Sequence, residues 1–148
     1  MIATSFSPEG RVAAALRSPT RLLVLYDADC ALCIRCRHWL ETQPTYVDVR
    51  FLAAASPEAQ DDLAVLRPWL GAELVVVSDR GEAWLGAAGF LVCLWATRDY
   101  REWSYRLSGP ALAPLAERFF HLISSRRSTI SRLLGPDECE GGQCRHRR

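Results

Sequence analysis

The chain has 148 residues, 49% apolar and 24% charged, with nine glycines and eight prolines. That composition excludes disordered, collagenous and fibrous classes and suits one globular domain. Its 18 basic residues, all arginine, nearly cancel 17 acids to leave a net charge of +1, which removes the electrostatic case for nucleic acid or an anionic membrane as a partner.

Residues 1–20 read as an N-terminal extension with a short helix over Pro8 to Leu16, broken at Ser18-Pro19-Thr20. These first residues carry neither a basic nor an apolar signal region, so the cytoplasm is the expected location. Leu22 to Tyr26 is a short continuous apolar run, the pattern of a strand buried on both faces. A helix is expected from Cys30 to about Thr42, with Leu32, Cys33, Cys36 and Leu40 on its inner face and Pro44 closing it. Val47, Val49 and Phe51 alternate with Asp48 and Arg50 as in a half-buried strand. Ser56-Pro57-Glu58 has the order of an N-cap, a first-turn proline and an early acid, and Ala59, Leu63, Leu66 and Leu70 continue it as one helix.

Leu74 to Val77 predicts a third strand, Ser78 to Gly81 a turn, and Glu82 to Leu85 its hairpin partner. From Ala87 to about Thr97 a helix follows, apolar nearly all round. The longest apolar run, Trp84 to Ala96, falls short of the roughly 18–20 residues that cross a bilayer. An aromatic stretch, Tyr100, Trp103 and Tyr105, precedes a helical region expected from Pro114 to about Leu134, with a break between Ser124 and Ser128 and a stop at Gly135-Pro136; Trp103 and Tyr105 are expected to pack under it. Residues 135–148 form a polar tail. From Ser124 onward six arginines face three acids, a weakly basic end of the kind that is ordinarily solvated.

The order strand, helix, strand, helix, strand, strand, helix predicts an α/β fold of thioredoxin-like type. A central mixed sheet of about four strands would be flanked by helices over residues 21–134, with added C-terminal helices.

The six cysteines fall at Cys30, Cys33 and Cys36, at Cys93, and at Cys139 and Cys144. In a reducing compartment this clustering points to redox or metal chemistry rather than a disulfide scaffold. Cys30-Ala31-Leu32-Cys33 sits where a buried strand hands over to a helix. With Asp29 or Asp27 as N-cap, Cys30 is expected in the first turn, exposed, its thiolate stabilised by the helix dipole, with Cys33 one turn on and facing inward. An accessible attacking thiol beside a shielded resolving thiol suits disulfide exchange.

Tyr26-Asp27-Ala28-Asp29-Cys30-Ala31-Leu32-Cys33 resembles the signature of the DCC family of thiol–disulfide oxidoreductases, named for the Asp, Cys, Cys of D-x-x-C-x-x-C. The likeness extends more diffusely over Leu22 to Cys144. It implies a thioredoxin-like fold and a dithiol–disulfide couple, with Asp27, Cys30 and Cys33 as the name residues. Two departures stand out. Ala28 replaces the glycine that usually follows the aspartate, a cost if the backbone there needs positive φ. Gly71-Ala72-Glu73 occupies the stretch where many thioredoxin-like enzymes carry a cis-proline before the third strand, which bears on how substrate docks.

Asp27 has two readings: a proton acceptor for Cys33 during resolution, or a turn aspartate without chemical role. Cys36 and Cys93 read as core thiols. His38 reads as a surface or groove histidine and His121 as a packed one. Cys139 and Cys144, with Gly141-Gly142 between them, could remain tail thiols, close a small disulfide, exchange electrons with Cys30 and Cys33, or complete a zinc site with them, His146 being a spare ligand.

The expectation is a thiol–disulfide oxidoreductase that acts on a disulfide-bearing protein or small thiol compound and needs no metal, flavin or nucleotide. Its rivals are a structural zinc module (Cys30, Cys33, Cys139, Cys144) and a non-catalytic adaptor that presents Trp103, Tyr105 or the basic tail.

Overall fold

Six consecutive residues, Arg21–Tyr26, form β1, whose alternate side chains feed two cores. Leu22 and Val24 pack with Leu40, Val76, Cys93 and Ala96 on one face, and Leu25 packs with Ala59 and Val75 on the other. This is the period-two consequence of a strand covered on both sides. Each fully buried Leu or Val adds about 1.5–3 kcal/mol. These relationships come from a computed structural model that describes residues 18–134 and the backbone of 139–140 and 143–144; the expected helix over Pro8 to Leu16 lies outside them.

The remaining elements run in chain order. Helix α1 (Ala31–Glu41) and strand β2 (Asp48–Ala53) come first. Helix α2 (Pro57–Asp62) and a 3₁₀ turn (Ala64–Leu66) follow, then strands β3 (Val75–Ser78) and β4 (Ala83–Leu85). Helix α3 (Ala87–Ala96) leads to α4 (Arg101–Ser108), α5 (Ala113–Ser125) and α6 (Arg127–Leu134). Two short strands, β5 (Cys139–Glu140) and β6 (Gln143–Cys144), form a hairpin of their own.

The four-stranded sheet has the order β2-β1-β3-β4. β1 and β2 run parallel, and β1–β3 and β3–β4 are antiparallel, which is the thioredoxin-like arrangement. The α1 and α3 side chains Leu40, Cys93 and Ala96 pack on one face, while Ala59 of α2 and Leu63, Leu66 and Leu70 pack on the other. Among the described residues no helix is long and apolar enough to cross a membrane.

The helix expected from Ser56 to Leu70 is broken. Ser56 caps it, its hydroxyl accepting the Ala59 N–H at 3.2 Å, but α2 ends at Asp62 and Leu63 leaves helical geometry at φ −114°, ψ 35°. Asp61 and Asp62 place two carboxylates at the negative end of the helix dipole, which favours termination there. The aromatic stretch is itself a helix, α4. It buries Ser104 and turns Trp103 and Tyr105 outward, 51% and 59% exposed, so these two do not pack under the C-terminal helices. Neighbours of a buried helical position point about 100° away from it. The C-terminal helical region breaks at Arg126, between α5 and α6, inside the expected interval.

Candidate active site

The chain leaves β1 at Tyr26 and enters α1 through Asp27-Ala28-Asp29. One Asp27 carboxylate oxygen accepts the Asp29 N–H at 3.0 Å, and the Asp27 carbonyl accepts the Cys30 N–H at 3.2 Å, so the aspartate shapes its own turn. No residue other than glycine has positive φ among those described; Ala28 therefore fits the turn without the strain that would require glycine.

The N-cap of α1 is Cys30 itself, not Asp27 or Asp29. Its backbone is extended (φ −105°, ψ 112°), and its Sγ accepts the Cys33 N–H at 3.4 Å. A thiolate here takes the place of the usual capping oxygen and meets the positive end of the helix. The Cys30 pKa is lowered to about 6, chiefly by the hydrogen bond from the Cys33 thiol and with help from the Cys33 N–H and the Arg127 charge; burial and the Asp27 charge oppose it. Cys33 moves the opposite way. Donating to Cys30 and losing water both hold its proton on.

Cys30 is only 5% exposed, against the expectation of an accessible thiol, and Cys33 is half-buried. The cause is α6, which packs across the start of α1. The Ser131 hydroxyl accepts the Ala31 N–H at 2.8 Å, and the Leu134 carbonyl accepts from the Arg35 guanidinium at 3.1 Å. From the same helix, Arg127 lies 3.6 Å from Asp27 Oδ2 and donates to the Gly71 carbonyl. Gly71, at φ 81°, opens the stretch before β3, and no cis peptide bond occurs among the described residues. Arg127 thus ties the stretch before β3 to the turn that precedes the motif thiols.

Arg127 and Ser131 are site groups that the sequence does not single out; the Gly71 stretch is among its expectations, but not the tie from Arg127 to the Gly71 carbonyl. Arg127 and Ser131, four apart, share one face of a short helix. That polar stripe was the available signal, but it also describes an ordinary solvated face.

The other candidates divide. Cys93 is buried as expected, its thiol pushed up to about 12 by desolvation. Cys36 is exposed in surface area rather than a fully buried core thiol, although it lies one turn before buried Leu40 on the same stripe of α1 and loss of water around its sulfur raises its pKa. His38 is half-buried, its Nδ1 3.4 Å from Glu41. His121 is exposed, not packed, since α5 turns Ala113, Ala116 and Phe120 toward the protein and His121 away from it. Among the described residues no group of three or more His, Cys, Asp or Glu side chains is placed to hold a metal. The side chains of Cys139 and Cys144, and His146 entirely, lie outside the described residues. A shallow apolar hollow of about 310 Å³ lies elsewhere; Pro19, Trp84, Trp95 and Tyr105 are among its lining residues, none of which is a cysteine, acid or histidine.

No curated protein and no solved structure matches the chain. The sequence profile of the DCC1-like thiol-disulfide oxidoreductases matches residues 24–133, a span from within β1 to the next-to-last residue of α6 that takes in both motif thiols and Arg127. On that match the chain belongs to the DCC1-like thiol-disulfide oxidoreductase family.

Proposed function

We propose that the chain carries out thiol–disulfide exchange through Cys30 and Cys33, with Asp27 as the proton acceptor. The observation that carries this reading is the Cys33 N–H to Cys30 Sγ hydrogen bond at the N-cap of α1, which pairs a thiol of lowered pKa with one of raised pKa. Exchange needs that asymmetry: the group that attacks must be a thiolate near neutral pH, and its partner must stay protonated until called on.

In the forward cycle the Cys30 thiolate attacks one sulfur of a substrate disulfide, forming a mixed disulfide and expelling the other sulfur as thiolate. Cys33 then loses its proton to Asp27, attacks Cys30 Sγ and releases the second substrate thiolate. The Cys30–Cys33 disulfide is left with two electrons passed to substrate, and a cellular dithiol resets it. Asp27 suits the acceptor role because its negative charge bears on both thiols, and the Arg127 contact fixes its second oxygen. The substrate is a disulfide-bearing protein or a small disulfide such as glutathione disulfide, and the setting is the cytoplasm. No cofactor enters the cycle.

A dithiol-driven disulfide reductase assay tests this. Cys30→Ser should abolish turnover, and Cys33→Ser should accumulate the mixed disulfide. Full activity in Cys30→Ser would overturn the reading.

A further inference from the structure

We propose that α6 is an autoinhibitory cover over Cys30, and that thiol–disulfide exchange proceeds only from an open form in which the far end of α6 has swung off α1 about Arg126. The proposal rests on the exchange reading given above and states how a substrate reaches the attacking thiol. That thiol is 5% exposed, whereas attack requires a substrate sulfur in contact with Cys30 Sγ.

The docked face of α6 is weakly held. Arg127, Ile130, Ser131 and Leu134 recur at helical spacing as its half-buried side, and none of them is fully buried. Its ties to the start of α1 are polar: the Ser131 hydroxyl on the Ala31 N–H at 2.8 Å, the Leu134 carbonyl on the Arg35 guanidinium at 3.1 Å, and Arg127 against Asp27 at 3.6 Å. Contacts of this kind trade against water for little net stability. A helix that leans on them, and buries no side chain fully, opens well before the sheet unfolds.

The junction with α5 supplies the hinge. α5 ends at Arg126, whose backbone leaves helical geometry at φ −104°, ψ 6°, while its N–H bonds the Leu122 and Ile123 carbonyls at 3.2 Å. α5 itself is anchored to α3 by Phe120 against Phe90, their ring centroids 5.9 Å apart. Rotation at an element-terminal residue such as this one moves the far end of the following helix most. Ser131 and Leu134 therefore lift while Arg127, next to the hinge, stays beside Asp27.

Opening withdraws the Ser131 oxygen from the Ala31 N–H and the Leu134 carbonyl from Arg35. A substrate shifts the equilibrium toward the open form only by contacts that the closed form denies it. These two donors beside Cys30 give such contacts to a disulfide that carries its own carbonyl or carboxylate oxygens, as a peptide disulfide does. Exchange then follows the steps already given, with no further redox partner.

The test is iodoacetamide alkylation of the reduced full chain, well above the Cys30 pKa of about 6, with Cys30 identified by fragment mass, in a urea series that stays below global unfolding. The wild-type Cys30 rate should rise with urea at a slope well below the global m-value, the mark of a local opening. Ser131→Ala should raise the rate without urea by about two- to tenfold, the factor that one net hydrogen bond represents. It should raise kcat/KM for oxidised glutathione in the dithiol-driven assay by the same factor. A wild-type slope of zero would show that Cys30 is reached with α6 in place, and a slope equal to the global m-value that α6 opens only with the whole protein; either overturns the proposal. So does a folded Ser131→Ala chain in which both rates are unchanged, its fold being read from the urea midpoint of the same samples. Alkylation reads the cover without turnover, so its failure is separate from that of the exchange reading, which Cys30→Ser tests.

Discussion

Arg127, in the last helix, lies 3.6 Å from Asp27, in the turn before the first helix, and hydrogen-bonds the Gly71 carbonyl. A single side chain thus joins the start of the motif to the loop before β3, a hundred residues apart in sequence from the aspartate. Its charge lowers the pKa values of both thiols. Arg127→Ala should raise the Cys30 pKa and destabilise the thiolate form, making the couple more reducing. In a pH series of iodoacetamide alkylation the midpoint should move upward, while the plateau rate at high pH should increase because α6 has lost one of its ties. A midpoint that stays in place would show that the arginine does not act on Cys30.

Asp27→Asn should act with the opposite sign on Cys30. Its negative charge raises both thiols, so removing it should move the Cys30 midpoint down. The resolution step should nevertheless slow, because Cys33 loses its proton acceptor. Stopped-flow release of the mixed disulfide measures that step separately from attack. Unchanged resolution across the pH range would remove Asp27 from the mechanism and leave it as a turn residue.

The lowered pKa of Cys30 also links stability to pH. Its folded value is about 6 against 9.0 for the free thiol, so between these the unfolded chain binds the proton and the folded one does not. Stability of the reduced protein should therefore rise with pH from about 6 toward 9, by at most about 1.4 kcal/mol per unit. It should be lost again as pH falls through 6. Urea unfolding at several pH values measures this. Cys30→Ser and the oxidised protein should lack the rise.

Much of the site's frame is legible from local pattern. The apolar run of β1, the alternation in β2 and the turn before β4 each depend on neighbours a few residues away, and the motif sits at the one strand-to-helix junction that β1 creates. The details of exposure were not legible in this way. Cys30 is buried because Ser131 and Arg127 arrive from a helix a hundred residues on, and no local pattern reports which face of α6 docks. His121 turns outward because helical spacing defines a face without fixing its rotation against the rest of the protein, and Cys36, on the expected Leu40 stripe, lies at that stripe's uncovered edge. α2 stopped early because the apolar spacing through Leu70 continues past two carboxylates that end the helix; Leu66 and Leu70 still reach the same core by way of a 3₁₀ turn.

Packing of α3 on the sheet gives a stability prediction. A Cβ on Gly89 would stand 3.1 Å from the Trp84 carbonyl oxygen and 3.4 Å from a Val76 methyl. In an open helix Gly→Ala gains about 1 kcal/mol. Here Gly89→Ala should instead destabilise by about 1–3 kcal/mol, since α3 must lift from β4. A lower urea midpoint with an unchanged m-value checks this; a higher midpoint would show that the contact relaxes freely.

The most direct test of the account is the equilibrium redox titration of Cys30 and Cys33 in the wild-type chain, by differential alkylation and peptide mass. A reversible two-electron couple that links these two residues, at one midpoint reached from both directions, is the predicted result. Thiols that remain reduced at the oxidising end of the series, or a disulfide that forms without Cys30, would contradict it.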